Sequence, residues 1–160
     1  MSKKLVAYFS VTGTTRSVAK SLAKAADADL FEIKPEIPYT EEDIDWQDEK
    51  ARSSIEMKDP SSRPGIEGDD ANIAEYDVIF LGFPIWWYKA PAIINTFLEN
   101  YDFAGKTIVL FATSGGSGLR KMADVLKESV DDTTVIIDGE MLNGDPDIYK
   151  LKQWVTTLGL

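Results

Sequence analysis

A chain of 160 residues, 44% hydrophobic and 28% charged, has the ordinary mix of a soluble globular protein and is long enough for one domain, 1–160, with a substantial core. With no cysteine and no histidine, disulfides, thiol nucleophiles, cysteine-held clusters and a Ser-His-Asp arrangement are excluded, so a bound cofactor is the expected source of any chemistry at neutral pH. The 17 Lys and Arg against 27 Asp and Glu leave a formal charge of −10, a field that repels nucleic acid and anionic membranes and steers basic partners.

No apolar run approaches the length of a membrane span, and the first four residues lead straight into a strand-like segment, so a cytoplasmic address is expected. That segment, residues 5–9, is a continuous apolar run. It feeds the stretch Ser10-Val11-Thr12-Gly13-Thr14-Thr15-Arg16-Ser17, and residues 18–26 then read as a helix with Val18, Leu22 and Ala25 or Ala26 on one face. A hydroxyl-rich turn between a strand and a helix N-terminus is an anion site. The first-turn N–H groups lack intrahelical partners, and the helix dipole adds partial positive charge. Gly13 permits a sharp turn and close approach of a ligand. Ser10, Thr12, Gly13, Thr14 and Thr15 are therefore expected to contact a phosphate, the alternative being a Ser/Thr-rich helix cap without a ligand. Neither the nucleoside-triphosphate pattern G-x-x-x-x-G-K-[ST] nor the dinucleotide pattern G-x-G-x-x-G stands in this stretch.

Residues 29–34 read as a second, shorter strand. An irregular stretch then runs to about residue 72, in which 41–57 is expected to form one helix capped by Thr40, with Ile44, Ala51 and Ile55 on a common side. Residues 59–65, rich in Pro, Ser and Gly, read as loop. Residues 77–83 form a buried strand of the kind covered on both faces, followed by Pro84-Ile85-Trp86-Trp87-Tyr88 and a helix from Ala90 or Pro91 to residue 100. A fourth strand at 106–112 ends in Thr113-Ser114-Gly115-Gly116-Ser117-Gly118. A helix over 119–130 follows, with Met122, Val125 and Leu126 inward, then a strand at 133–137. The last helix, 147–158, carries Ile148, Leu151, Trp154, Val155 and Leu158 at helical spacing.

Five strands joined by helical crossovers predict an α/β fold, a five-stranded parallel sheet wound on both sides, with ligands bound beyond the carboxyl ends of the strands. Three unusual loops share that edge: those after the first, third and fourth strands. Pro84, Ile85, Trp86 and Trp87 offer a flat apolar partner for a planar ring, with Trp86 favoured over Trp87 for stacking and backbone amides near Ile85 reaching its polar side. Read without a ligand, the same aromatics are core or a partner interface. Thr113, Ser114, Gly115 and Gly116 offer main-chain donors at close approach, or else a plain flexible turn.

Ser-x-Thr-Gly-x-Thr after the first strand, Phe83-Pro84-Ile85-Trp86-Trp87 after the third and the glycine-rich turn after the fourth together resemble the flavodoxin family along essentially the whole chain. The chain is most similar to short flavodoxin-like proteins with a Pro-Ile-Trp-Trp second loop. The resemblance implies a three-layer doubly wound sandwich of strand order 2-1-3-4-5, non-covalent FMN as cofactor and low-potential electron transfer. It differs from the best-studied flavodoxins in the placing of the second-loop tryptophan and in lacking a tyrosine–aspartate pair in the fourth-strand loop. Three functions stay open on this reading. One is an electron carrier docking basic redox partner proteins, and another is an NAD(P)H:quinone-type oxidoreductase with residues 35–72 as a lid. The third is an interaction module that binds flavin weakly or not at all. No residue is expected to serve as a catalytic acid or base, no metal set stands out, and neither nucleic acid nor membrane is an expected partner.

Overall fold

The computed structural model describes residues 3–160 apart from 46, 69, 87, 88, 114–118, 120, 121, 144 and 145. Its centre is a parallel five-stranded sheet of β1 (Lys4–Tyr8), β2 (Asp29–Glu32), β5 (Val78–Pro84), β6 (Thr107–Thr113) and β7 (Val135–Met141), in the order β2-β1-β5-β6-β7. Counted along these five strands alone, that is the expected 2-1-3-4-5. A two-stranded antiparallel pair, β3 (Lys34–Pro35) with β4 (Ile66–Glu67), lies outside it.

The central strands are apolar at nearly every position because both faces are covered, and alternation divides their side chains between two layers. On one face Val6, Tyr8, Val78, Phe80, Val109 and Phe111 pack against α1 (Thr14–Ala26) and α5 (Ile148–Leu158), which contribute Val18, Leu22, Leu151 and Val155. On the other, Leu5, Ala7, Phe9, Ile79, Leu81, Phe83, Ile108 and Leu110 pack against α3 (Ala92–Asn100) and α4 (Met122–Leu126) through Ile93, Ile94, Phe97 and Met122. Close packing between strands is enforced at Gly82, where a Cβ would stand 2.1 Å from the Phe111 ring of the paired strand.

Three helical expectations need correction. Residues 41–57 do not form one helix; turns occupy 41–44, and only α2 (Arg52–Lys58) is helical. The cause is local competition, since short acidic side chains take backbone N–H groups that a helix would need. Asp45 accepts from Gln47 N, Asp48 from Lys50 N, and Thr40 and Asp43 bond each other's amides reciprocally. Within this segment Ala51 is buried but Ile55 is exposed. The expected 119–130 helix, of which 120 and 121 lie outside the described residues, ends at Leu126 as α4 and gives way to a 3-10 turn at Lys127–Ser129, and Val125 on it faces outward. Ile148 is likewise exposed, at the start of α5, where Asp147 caps by accepting from Tyr149 N.

Among the described residues no helix is long and apolar enough to cross a membrane.

Candidate functional site

The carboxyl ends of β1, β5 and β6 open into one cleft of about 440 Å³, lined by Ser10, Val11, Thr12, Thr14, Thr15, Ile44, Pro84, Ile85, Trp86, Thr113 and Asn143. That volume is in the range of sites that enclose a small molecule or cofactor, roughly 300–1,000 Å³. No charged side chain lines it among the described residues.

At one end, α1 begins earlier than the sequence pattern indicates, so Thr14 and Thr15 stand in its first turn. Gly13 precedes it at φ +96°, a left-handed conformation that glycine adopts without strain, and its amide donates to the Ser10 hydroxyl at 3.1 Å. The first helical bond runs from Ser17 N to Gly13 O, leaving the earlier first-turn amides without intrahelical partners. No acidic residue occupies that turn to neutralise the pole. The hydroxyls divide by direction. Those of Thr12 and Thr14 are exposed and 3.4 Å apart, whereas Thr15 is 2% exposed and shares a 2.9 Å hydrogen bond with Thr113. The nearby guanidinium of Arg16 is held by Glu32 at 2.7 Å, which with Tyr8 keeps its pKa above the ordinary value. This end of the cleft is thus made of hydroxyls, amides and a helix pole.

At the other end stand Pro84, Ile85 and Trp86. Of the backbone amides near Ile85 expected to reach a ligand, that of Ile85 itself donates to Thr113 O at 3.0 Å, and those of residues 87 and 88 lie outside the described residues. Trp86 and Lys89 exchange backbone bonds of 2.9 Å, so the Trp86 amide is also committed. The Trp86 ring, half-buried, lines the cleft and is gripped on its inner side by Phe9 and Tyr39 in edge-to-face contacts. Thr113 therefore ties the three loops together: its carbonyl holds the second and its hydroxyl the first, while it closes β6 itself.

Of the residues singled out in the sequence, Ser10, Thr12, Thr14, Thr15, Pro84, Ile85, Trp86 and Thr113 line the cleft, and Gly13 turns the chain beside them. Trp87, Ser114, Gly115 and Gly116 lie outside the described residues. Sequence reasoning missed Val11, Ile44 and Asn143. Asn143 follows β7 on the same sheet edge, a position that the fold rule alone could have flagged; Ile44 carried no signal because it comes from the irregular segment.

The chain is similar to proteins of one kind throughout. The sequence profile of the family described as Flavodoxin matches residues 3–158. A protein of Bacteroides eggerthii known from its crystal structure is 45% identical with a TM-score of 0.90, covering 100% of this chain and 99% of its own. A flavoprotein of Lactobacillus acidophilus, solved in complex with FMN, is 25% identical with a TM-score of 0.67, covering 96% of this chain and 99% of its own. A flavodoxin of Maridesulfovibrio salexigens is 25% identical over 168 residues, which is 96% of this chain and 94% of that protein. A match of nearly full length, on the same sheet order and with a hydroxyl loop opening α1, is decisive: the chain belongs to the flavodoxin family.

Proposed function

We propose that the chain holds FMN non-covalently in the three-loop cleft and works as a low-potential electron carrier. The observation that carries this reading is the cleft itself, which has an uncharged hydroxyl-and-amide cradle at a helix pole at one end and an indole wall at the other. The residues fit the group. A phosphate fits the exposed hydroxyls of Thr12 and Thr14, the Ser10 hydroxyl (which accepts from Gly13 and retains its own proton to donate) and the open first-turn amides. A flat ring fits the apolar surface of Pro84, Ile85 and Trp86. The similarity to a flavoprotein solved with FMN supports the same assignment.

When bound, FMN supplies the electron-accepting ring. The chain binds and orients it and shields one side from water. A net charge of −10 also disfavours added negative charge, which keeps the potential low and favours basic partner proteins at encounter.

The test is an anaerobic visible-light titration of the FMN-loaded protein with NADPH and then with dithionite. The expected result is that NADPH leaves the yellow colour intact and dithionite removes it. Direct bleaching by NADPH would replace the carrier with an NAD(P)H-dependent oxidoreductase. Loss of all colour on gel filtration would leave a flavodoxin-fold interaction module.

A further inference from the structure

Behind the indole wall, Tyr39, Arg52 and Glu56 build a cluster that does not itself line the cleft. Tyr39 is its centre. Its ring meets Trp86 at a centroid distance of 5.5 Å and 69°, and Phe9 at 5.6 Å and 68°. Phe9 and Trp86 meet at 5.7 Å and 84°, so three rings hold one another edge to face. The outer face of Tyr39 is covered by the Arg52 guanidinium, 3.8 Å from the ring centroid. The Tyr39 hydroxyl donates to Glu56, which also receives Arg52 Nε at 3.1 Å. Arg52 Nη1 reaches back to the carbonyl of Ile37 at 2.6 Å. The Arg52 and Glu56 side chains are 22% and 14% exposed, so the pair is shielded enough to hold its geometry. Burial first, and Glu56 second, push the Tyr39 phenol above its ordinary pKa, keeping it a neutral donor.

We propose that Tyr39, locked by Arg52 and Glu56, is a positioning residue that fixes the Trp86 ring as a wall of the cleft, so that the ordering of these three side chains sets how tightly the cleft holds its ligand. The consequence for FMN rests on the functional reading above; the fixing of Trp86 does not. Trp86 sits on a short turn where an unsupported indole would sample several rotamers and lose that freedom on binding. A ring already held loses little, and for one side chain this corresponds to about three- to tenfold in affinity. The same segment also delivers Ile44 directly to the cleft, so the irregular stretch is part of the site on two counts.

The test is a double-mutant cycle on the full chain, read by FMN affinity. Tyr39→Leu should weaken FMN about three- to tenfold, and the loss should disappear in a Trp86→Ala background. An equal loss in both backgrounds overturns the proposal, because Tyr39 would then act without Trp86. Should Tyr39→Leu fail to fold by far-UV circular dichroism, Tyr39→Phe decides in the same cycle. It keeps the ring but frees it from Glu56, and a coupling of about twofold is expected, none overturning the proposal. A second readout needs no flavin. In the apo protein labelled with 5-fluorotryptophan, the Trp86 resonance, identified by its loss in Trp86→Phe, should shift or broaden in the Tyr39 variant. An unmoved resonance overturns the clamp. A moved resonance in a protein that takes up no FMN retains the clamp and refutes the functional reading.

Discussion

Thr12 and Thr14 carry exposed hydroxyls, while Thr15, one residue further, turns its own inward to Thr113. One amino-acid type thus takes two places within four positions: open to the cleft, and buried between the loops. The double substitution Thr12→Val with Thr14→Val should weaken FMN more than tenfold, at about 0.5–1.5 kcal/mol per ordinary hydrogen bond and more to a charged acceptor. Riboflavin, which lacks the phosphate, should bind the variant and the parent alike. Fluorescence-quenching titrations with the two flavins check this, and unchanged FMN affinity would remove the first loop from the site. The residue types of this loop were legible in the sequence, since only a hydroxyl-rich turn at a helix start offers so many donors. Which hydroxyl faces the cleft was not legible. That depends on where α1 begins, and successive first-turn residues point in different directions. The Ile85 amide shows the same limit: a free donor in the sequence, it is committed to a carbonyl 28 positions away.

Among the elements, the inner strands were readable because burial on both faces demands uninterrupted apolar runs, and β1, β5 and β6 lie within a residue of where those runs indicate. β2 is different, an edge strand whose residues are exposed or half-exposed. It is pinned from outside by Tyr76, whose hydroxyl donates to Asp29 at 2.7 Å. Burial, then the bond to Asp29, pushes the Tyr76 phenol up to about 12. A phenol whose pKa is higher in the folded than in the unfolded chain contributes stability that is whole below about pH 10 and is lost as pH rises towards 12. Tyr76→Phe should therefore cost about 1 kcal/mol at pH 8 through the lost bond, and the gap to the parent should narrow between pH 10 and 12. Urea melts at pH 8 and pH 11 measure it; a gap independent of pH would remove Tyr76 from the alkaline response. The segment between β3 and β4 was the unreadable element. Its apolar residues recur at helical spacing, yet the carboxylates of Asp43, Asp45 and Asp48 accept from nearby amides and break the helix before Arg52. Hydrophobic periodicity cannot register that competition, and so the Tyr39 cluster and Ile44 were not anticipated.

At the scale of the molecule, the order of the sheet converts remote stretches of sequence into one site. Strands β1, β5 and β6 are neighbours, so loops starting near residues 10, 84 and 113 meet although nearly 30 to over 70 positions separate them. Their meeting place was predictable from the fold rule; their attachment to one another was not. Thr113 bonds both of the other loops, so the anion end and the ring end of the cleft share a mechanical joint. In thermodynamic language that joint is a linkage, and linkage is reciprocal. A ligand that orders the first loop spares a second ligand part of the ordering of the other. Inorganic phosphate should then tighten riboflavin by about two- to fivefold, riboflavin should tighten phosphate by the same factor, and Thr113→Val should abolish both effects, as riboflavin titrations at constant ionic strength would show. On this account FMN gains, beyond the advantage of having its two halves joined, a cooperativity that Thr113 builds into the chain.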